Sequence, residues 1–239
     1  MPWLFEPSPV AALPLSDSDC EFAVQRIWCV GRNYAAHTRE MGADPDRDPP
    51  FFLAKPASAL VFAATASAAR PTPVPYPVAT ADLHHEVEMV IALGQASDRH
   101  PDSDPLGWIA GLAVGIDLTR RDLQADLKKR SLPWEMAKAF DHSAIVGAIG
   151  RPHIAKFLAG KPMISLHVNG QQRQLGYIGD MIWPVADLLR HLAALVQLQP
   201  GDLVFTGTPS GVGPLLRGDR VHAEVVGLPP ICFEINALP

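Results

Sequence analysis

Glu86 and Glu88 stand two residues apart at the head of an apolar run, Val87 to Leu93, closed by Gly94. Such a run reads as a strand. Side chains alternate between the faces of a strand, so His84, Glu86 and Glu88 are expected on one face and Leu83, Val87, Met89 and Ile91 on the other. Two carboxylates on one face lie about 6–7 Å apart at their backbones and repel if left bare. A hard divalent cation between them removes that conflict and takes oxygen ligands. Asp117 follows a second apolar run, Leu112 to Ile116, and from a strand end its side chain can enter the same cleft. Glu86, Glu88 and Asp117 together suit Mg2+, Mn2+ or Ca2+ better than zinc, with further positions on the cation open to water or substrate. Taken alone, a Glu-x-Glu pair is more often the polar face of a half-buried strand, and a neighbouring His84 is more often a support than a ligand.

Other residues carry complementary chemistry. His37 and Glu40 are three apart, hence neighbours on a helix. A carboxylate beside an imidazole sets its tautomer and raises its basicity, as a general base acting on water requires. Arg121 and Gln124, also three apart, present donors suited to a substrate carboxylate. Lys138 is a charge inside the apolar stretch Trp134 to Phe140; a snorkelling surface lysine is the plain alternative. The turn Gly207 to Gly213 lacks the Gly-Lys-Ser/Thr of a phosphate loop. Its N–H groups and the hydroxyls of Thr206, Thr208 and Ser210 are enough to hold a carboxylate oxygen.

The elements that must position these groups are mostly short. A strand from Arg26 to Val30 ends at Gly31 and delivers a helical segment, Arg32 to Met41, that Gly42 would stop. Residues 42–50 (GADPDRDPP) read as a mobile loop, and 37–50 as a lid carrying Arg39 and Arg47. Phe51 to Leu53 resumes a strand, and residues 63–78 read as a connection over the surface. Thr119 is expected to cap a helix bearing Leu123 and Leu127 and closing on Lys128, Lys129 and Arg130. Met163 to Val168, Asn169-Gly170 and Gln171 to Leu175 form the pattern of a type I′ hairpin. Val185 to Leu198 is amphipathic with helical spacing. The last strands are expected at Asp202 to Thr206, Arg220 to Val226 and Ile231 to Ile235. Residues 1–25 read as an irregular lead-in and 26–239 as a single catalytic domain.

Composition narrows the function classes. The chain has 239 residues, 20 basic and 25 acidic, for a net charge of −5. No basic run exceeds Lys128-Lys129-Arg130, which argues against a nucleic-acid or anionic-membrane surface. The 24 prolines favour many turns and short helices, hence a β-rich α+β fold. Three cysteines, Cys20, Cys29 and Cys232, match neither a disulfide framework nor a zinc site. No signal peptide and no apolar run of about 18 residues is present, so a cytoplasmic location without a membrane span is expected.

Five motifs then occur in one order: Gly31-Arg-Asn-Tyr-x-x-His-x-x-Glu40, His85-Glu-x-Glu88, Gly115-x-Asp-x-x-x-Arg-Asp122, Lys138-x-Phe140 and Thr206-Gly-Thr-Pro-x-Gly-Val-Gly213. Together they resemble the fumarylacetoacetate hydrolase family, in particular its acylpyruvate and fumarylpyruvate hydrolase branch. The resemblance covers roughly residues 26–235. It implies a mixed β-roll with few short helices, a homodimer, and Mg2+ or Mn2+ held by Glu86, Glu88 and Asp117. It implies that His37 and Glu40 activate water, with Lys138 adding positive charge beside a pyruvate enolate. Arg121, Gln124, Lys138 and Thr208 would line the pyruvate end. Arg32, beside the strand end, is a further substrate-binding candidate, and the lid arginines Arg39 and Arg47 are the sequence's candidates for meeting a distal carboxylate, unless both merely face water beside Asp44, Asp46 and Asp48. The implied activity is hydrolytic cleavage of the C–C bond of a 2,4-dioxo acid, with fumarylpyruvate giving fumarate and pyruvate. Oxaloacetate decarboxylation and isomerisation or hydration of a 2-oxo acid are alternatives on one scaffold. A non-catalytic metal-dependent dicarboxylate binder is the alternative from another class.

Overall fold

The computed structural model describes residues 3–40, 49–64, 71–98, 100 and 103–236. In it the strand Val87–Leu93 is buried along its whole length. Its side chains divide between two cores: Val87, Met89, Ile91 and Leu93 join a larger one, and Val90 and Ala92 join a smaller one with Leu13, Ile27 and Phe205. A near-continuous apolar, β-branched run is what a strand covered on both faces requires. This strand is the centre of a seven-stranded mixed sheet. The spatial order is Phe51–Pro56, Arg26–Gly31, Asp202–Phe205, Val87–Leu93, Ile109–Asp117, Ala144–Val146 and Leu60–Phe62. Asp202–Phe205 runs parallel to Arg26–Gly31, and Ala144–Val146 to Leu60–Phe62; the other pairs are antiparallel.

A five-stranded sheet packs across the larger core, in the order Gln171–Tyr177, Met163–Val168, Arg220–Val225, Ile231–Asn236 and Thr72–Pro75. Its first hairpin turns at Asn169 and Gly170 with φ of 51° and 79°, the positive pair of a type I′ turn. Its far edge corrects part of the expected surface connection across 63–78, of which residues 65–70 lie outside the described residues. Thr72–Pro75 pairs with Ile231–Asn236, and Val74 is fully buried. Pro73 and Pro75 are tolerated because an edge strand can spare N–H groups.

The described residues contain five α-helices: α1 (Ala35–Glu40), α2 (Arg121–Lys129), α3 (Glu135–Lys138), α4 (Ile154–Ala159) and α5 (Val185–Leu195). The fold is therefore β-rich with few helices. α5 stops at Leu195, short of the expected Leu198, and buries Leu188, Leu189 and Leu192. Among the described residues no helix is long and apolar enough to cross a membrane.

The lead-in is less irregular than its prolines suggest. Ala12–Pro14 pairs with Glu21–Ala23, Leu15 bridges Ile149, and Leu13 is fully buried in the smaller core. Strands of three residues are too short to show a period, which is why the pattern is silent there. Leu13→Ala should cost about 2–5 kcal/mol of unfolding free energy in urea titration. A loss within about 0.5 kcal/mol, as for an ordinary surface site, would show that the lead-in is dispensable.

Candidate active site

At Glu86 the chain changes sheets. Leu83–His85 lies in a three-stranded sheet between Thr119–Arg120 and Gly213–Leu215, whereas Val87–Leu93 lies in the seven-stranded one. The single strand expected here is thus two, with Glu86 at the break. Ile109–Asp117 pairs Ile116 with Val87 and Gly115 with Glu88, and the Asp117 N–H donates to the Glu86 carbonyl at 2.9 Å. Gly115 permits this approach, since a Cβ there would lie 2.5 Å from Val90 Cγ2 and 2.8 Å from Phe205 Cε1. The ladder brings one carboxylate oxygen each from Glu86, Glu88 and Asp117 within 4.8 Å of one another, all buried.

Three cations frame the carboxylates. Lys138 Nζ donates to Glu86 Oε2 at 2.7 Å and to Asp117 Oδ2 at 2.8 Å. Arg121 Nη2 donates to Glu86 Oε1 at 2.7 Å. Lys55 Nζ pairs with Asp117 Oδ1 at 2.8 Å and also donates to the Lys138 carbonyl. Burial alone would raise the Glu86 pKa, but Lys138 and Arg121 outweigh it and hold the carboxyl below its usual range. Burial lowers the Lys138 pKa, yet Asp117 and Glu86 carry it above the usual lysine value. Glu88 differs. Burial raises its pKa, Asp117 and Glu86 add like charge, and its hydrogen-bond donor is the Gly207 amide at 2.6 Å from Oε2. A buried oxygen ligand set with one member that no cation pairs among the described residues fits a hard divalent cation, which would relieve that repulsion.

Lys138 is buried in the centre, not snorkelling. His84 is no ligand: its Nε2 pairs with Asp82 Oδ1 at 2.9 Å, and Nδ1 accepts from Arg121 Nε at 3.3 Å, so it props Arg121 from behind. Thr119 is not the helix cap. It lies in the strand beside His84, and α2 begins after Arg120 without a side-chain cap. Asp122 accepts instead from the Thr80 hydroxyl at 2.6 Å and the Ala81 amide at 2.9 Å, tying α2 to the segment before Glu86.

A cavity of about 450 Å³ opens over the carboxylates. Arg32, His37, Arg121, Gln124, Lys138 and Thr208 line it with Glu86, Glu88 and Asp117. Glu40 stands behind His37, its Oε2 3.4 Å from His37 Nδ1 and accepting from the Gly211 amide at 3.4 Å. Arg39 is exposed and does not line the cavity. Residues 41–48, with Arg47 and most of the expected lid, lie outside the described residues. Arg32 takes a left-handed φ of 62°, uncommon for a residue with a side chain, at the corner between the strand Arg26–Gly31 and α1.

Three residues of this site escaped sequence reasoning. Lys55 reads as a lone charge before a proline, and its partner lies far along the chain. Asn33 joins three segments: Nδ2 donates to the Thr206 carbonyl at 2.8 Å and Oδ1 accepts from the Trp183 amide at 2.7 Å. It also packs on Gly207, where φ is 96° and a Cβ would lie 2.7 Å from Asn33 Cβ. Gln174, fully buried in an otherwise polar strand, is the third; its burial was the missing signal. Its Oε1 accepts from the Val87 amide and His85 Nδ1, and its Nε2 donates to Thr208 Oγ1 at 2.8 Å. The His85 pKa is pushed down to about 4, chiefly by burial, so the ring is neutral with its proton on Nδ1. The Thr208 hydroxyl in turn donates to the Val87 carbonyl at 2.8 Å. That proton is committed, so Thr208 Oγ1 offers the cavity a lone pair and not a donor.

Fold and site define a β-rich scaffold built around a buried carboxylate cluster. The chain belongs to the fumarylacetoacetate hydrolase family: the description "Fumarylacetoacetate (FAA) hydrolase C-terminal" matches residues 26–236. The crystal structure of fumarylpyruvate hydrolase from Pseudomonas aeruginosa in complex with Mn2+ and pyruvate is 42% identical and superposes with a TM-score of 0.93. That match covers 99% of this chain and 100% of the other. A mitochondrial oxaloacetate tautomerase, FAHD1 of Mus musculus, is 36% identical over 218 residues, 89% of this chain and 92% of that protein. The structure of 5-carboxymethyl-2-hydroxymuconate delta-isomerase from Mycobacterium smegmatis is 28% identical with a TM-score of 0.76, over 90% of this chain and 80% of that one.

Replacing Glu88 by Gln removes one charge from the buried set and keeps its shape. In EDTA the variant's Tm should equal or exceed the native value, because the like-charge conflict is relieved. The Tm rise that Mn2+ gives the native protein should be largely lost. A clear drop in EDTA with the metal response intact would contradict this account of Glu88.

Proposed function

We propose that this protein is a divalent-metal-dependent hydrolase that cleaves the C–C bond of an acylpyruvate, fumarylpyruvate being the lead substrate. One observation carries the reading: His37, backed by Glu40, opens on the same cavity as the buried Glu86, Glu88 and Asp117. In this reading water activation and the site for a chelating 2-oxo acid stand side by side. The Mn2+ and pyruvate in the Pseudomonas aeruginosa structure support the choice of metal and of product. When held by Glu86, Glu88 and Asp117, Mg2+ or Mn2+ supplies Lewis-acid chelation of a 2-oxo acid.

The chain's own residues supply the remainder. Arg121 and the amide nitrogen of Gln124 orient the substrate carboxylate; Gln124 Oε1 is already taken by Arg121 Nη1 at 2.5 Å. His37 donates from Nδ1 to Glu40, which leaves Nε2 to take a proton from water. The hydroxide so formed adds to the C4 carbonyl and the C3–C4 bond breaks. Its electron pair stays on C3 as the enolate of pyruvate, and the acyl fragment leaves as a carboxylic acid. Lys138 places positive charge beside that enolate, and the proton on His37 returns to C3. Thr208 Oγ1, lacking a free proton, receives a hydrogen bond from water or an enol hydroxyl. The homodimer implied by the family belongs to this proposal and is read directly by sedimentation.

A second reading has its own support, in the oxaloacetate tautomerase relatives. Keto–enol exchange of oxaloacetate needs the same grip on a 2-oxo acid and a proton relay at C3, but no attacking water. Ultraviolet assays of fumarylpyruvate loss and oxaloacetate enolisation, with Mg2+ and with EDTA, separate the two. His37→Ala should lower kcat for fumarylpyruvate by about 10²–10⁴-fold. If the native enzyme equilibrates oxaloacetate far faster than it cleaves any dioxo acid, the hydrolase reading is wrong.

A further inference from the structure

The wall of the cavity contributed by α2 extends beyond what cleavage itself uses. Arg121, Gln124, Ala125, Lys128 and Lys129 all face the cavity. Their spacing of three, four, seven and eight residues makes one stripe along the helix. The inner end is fixed: Arg121 bonds Glu86 through its side chain, and its N–H donates to the Asp82 carbonyl at 2.8 Å. Ala125, the small residue midway, leaves the groove open beside the stripe. At the outer end two ammonium groups sit on adjacent residues in the last turn. Trp134, which follows the helix and packs edge-on against Phe51 with ring centroids 5.5 Å apart, also lines the cavity.

The stripe works as a ruler. A helix rises about 1.5 Å per residue, so Lys128 stands roughly 10 Å beyond Arg121. An extended carbon chain advances about 1.2 Å per bond, so a seven-carbon diacid gripped at Arg121 reaches roughly 7 Å along the stripe. The flexible lysine stems close the difference.

We propose that Lys128 and Lys129 receive a second, distal carboxylate, so that the cavity selects dianionic 2-oxo acids over equally long ones with a neutral tail. The inference rests on the acylpyruvate reading and gives that site its substrate class. It also places a distal contact on α2 beside the expected pair of lid arginines, of which Arg39 is exposed and does not line the cavity and Arg47 lies outside the described residues. Both lysines are exposed, so the selectivity falls as salt rises. Two solvated lysines complementing the helix dipole, with no role in binding, are the competing explanation.

The test uses 2-oxoheptanedioate, which has no 4-oxo group to be cleaved, and the monoacid 2-oxoheptanoate of equal length. Both are titrated calorimetrically into the Mg2+-loaded enzyme. The native protein should bind the diacid about tenfold or more tighter, and the preference should shrink in high salt. The double variant Lys128→Ala, Lys129→Ala should lose the preference through weaker diacid binding, and Lys128→Arg, Lys129→Arg should keep it. A native enzyme without preference, or a double variant that retains it, overturns the proposal. Parallel assays of 2,4-dioxo acid cleavage keep the two ideas apart. Absent cleavage would sink the hydrolase reading, whereas calorimetry alone decides the lysine receptor.

Discussion

Three carboxylates held within 4.8 Å of one another and away from water are the constraint on which the rest of the structure depends. Each buried ion costs several kcal/mol unless other charges and hydrogen bonds compensate it. The compensation comes from remote parts of the chain. Lys55 arrives on the strand Phe51–Pro56, Arg121 on α2, Lys138 on α3, and the Gly207 amide from the turn after Asp202–Phe205. The central sheet fixes Glu88 and Asp117, and the change of sheet at Glu86 turns the third carboxylate toward them. Stripping one cation from such a cluster typically costs about 3–5 kcal/mol, because a bare charge is left behind. The groups that would meet substrate are therefore also the groups that make the buried charges tolerable.

Around that fixed centre the remaining parts are lightly held. α1 spans six described residues, and the two contacts of Glu40 among the described residues, to His37 and to the Gly211 amide, measure 3.4 Å. Asn33 anchors the start of this segment to Thr206 and Trp183, so His37 follows closely on a firm point. Relatives with hydrolase, tautomerase and isomerase names share the fold. A fold shared by proteins of differently named activity leaves the difference to the groups placed on it.

The carboxylate centre was legible from the sequence because residue type and period-two spacing are local properties. The Asn169-Gly170 hairpin and α5 were legible for the same reason. What stayed hidden depends on pairing between distant segments. The switch of sheets at Glu86 separates His84 from the face that alternation assigned to it. Thr119 has the identity of a helix cap but is taken by a strand. Lys55 and Gln174 look like ordinary polar residues until burial and long-range partners are seen. Leu13 and Val74 sit in strands too short or too rich in proline to show a period.

The central claim is that Glu86, Glu88 and Asp117 jointly hold the cation on which a 2-oxo acid is gathered. Anomalous X-ray scattering from crystals grown with Mn2+ tests it most directly. The account predicts one strong manganese peak within about 2–2.5 Å of an oxygen from each of the three carboxylates, with Lys55 still paired to Asp117. A strong peak elsewhere in the protein, with none between these carboxylates at saturating Mn2+, would contradict it.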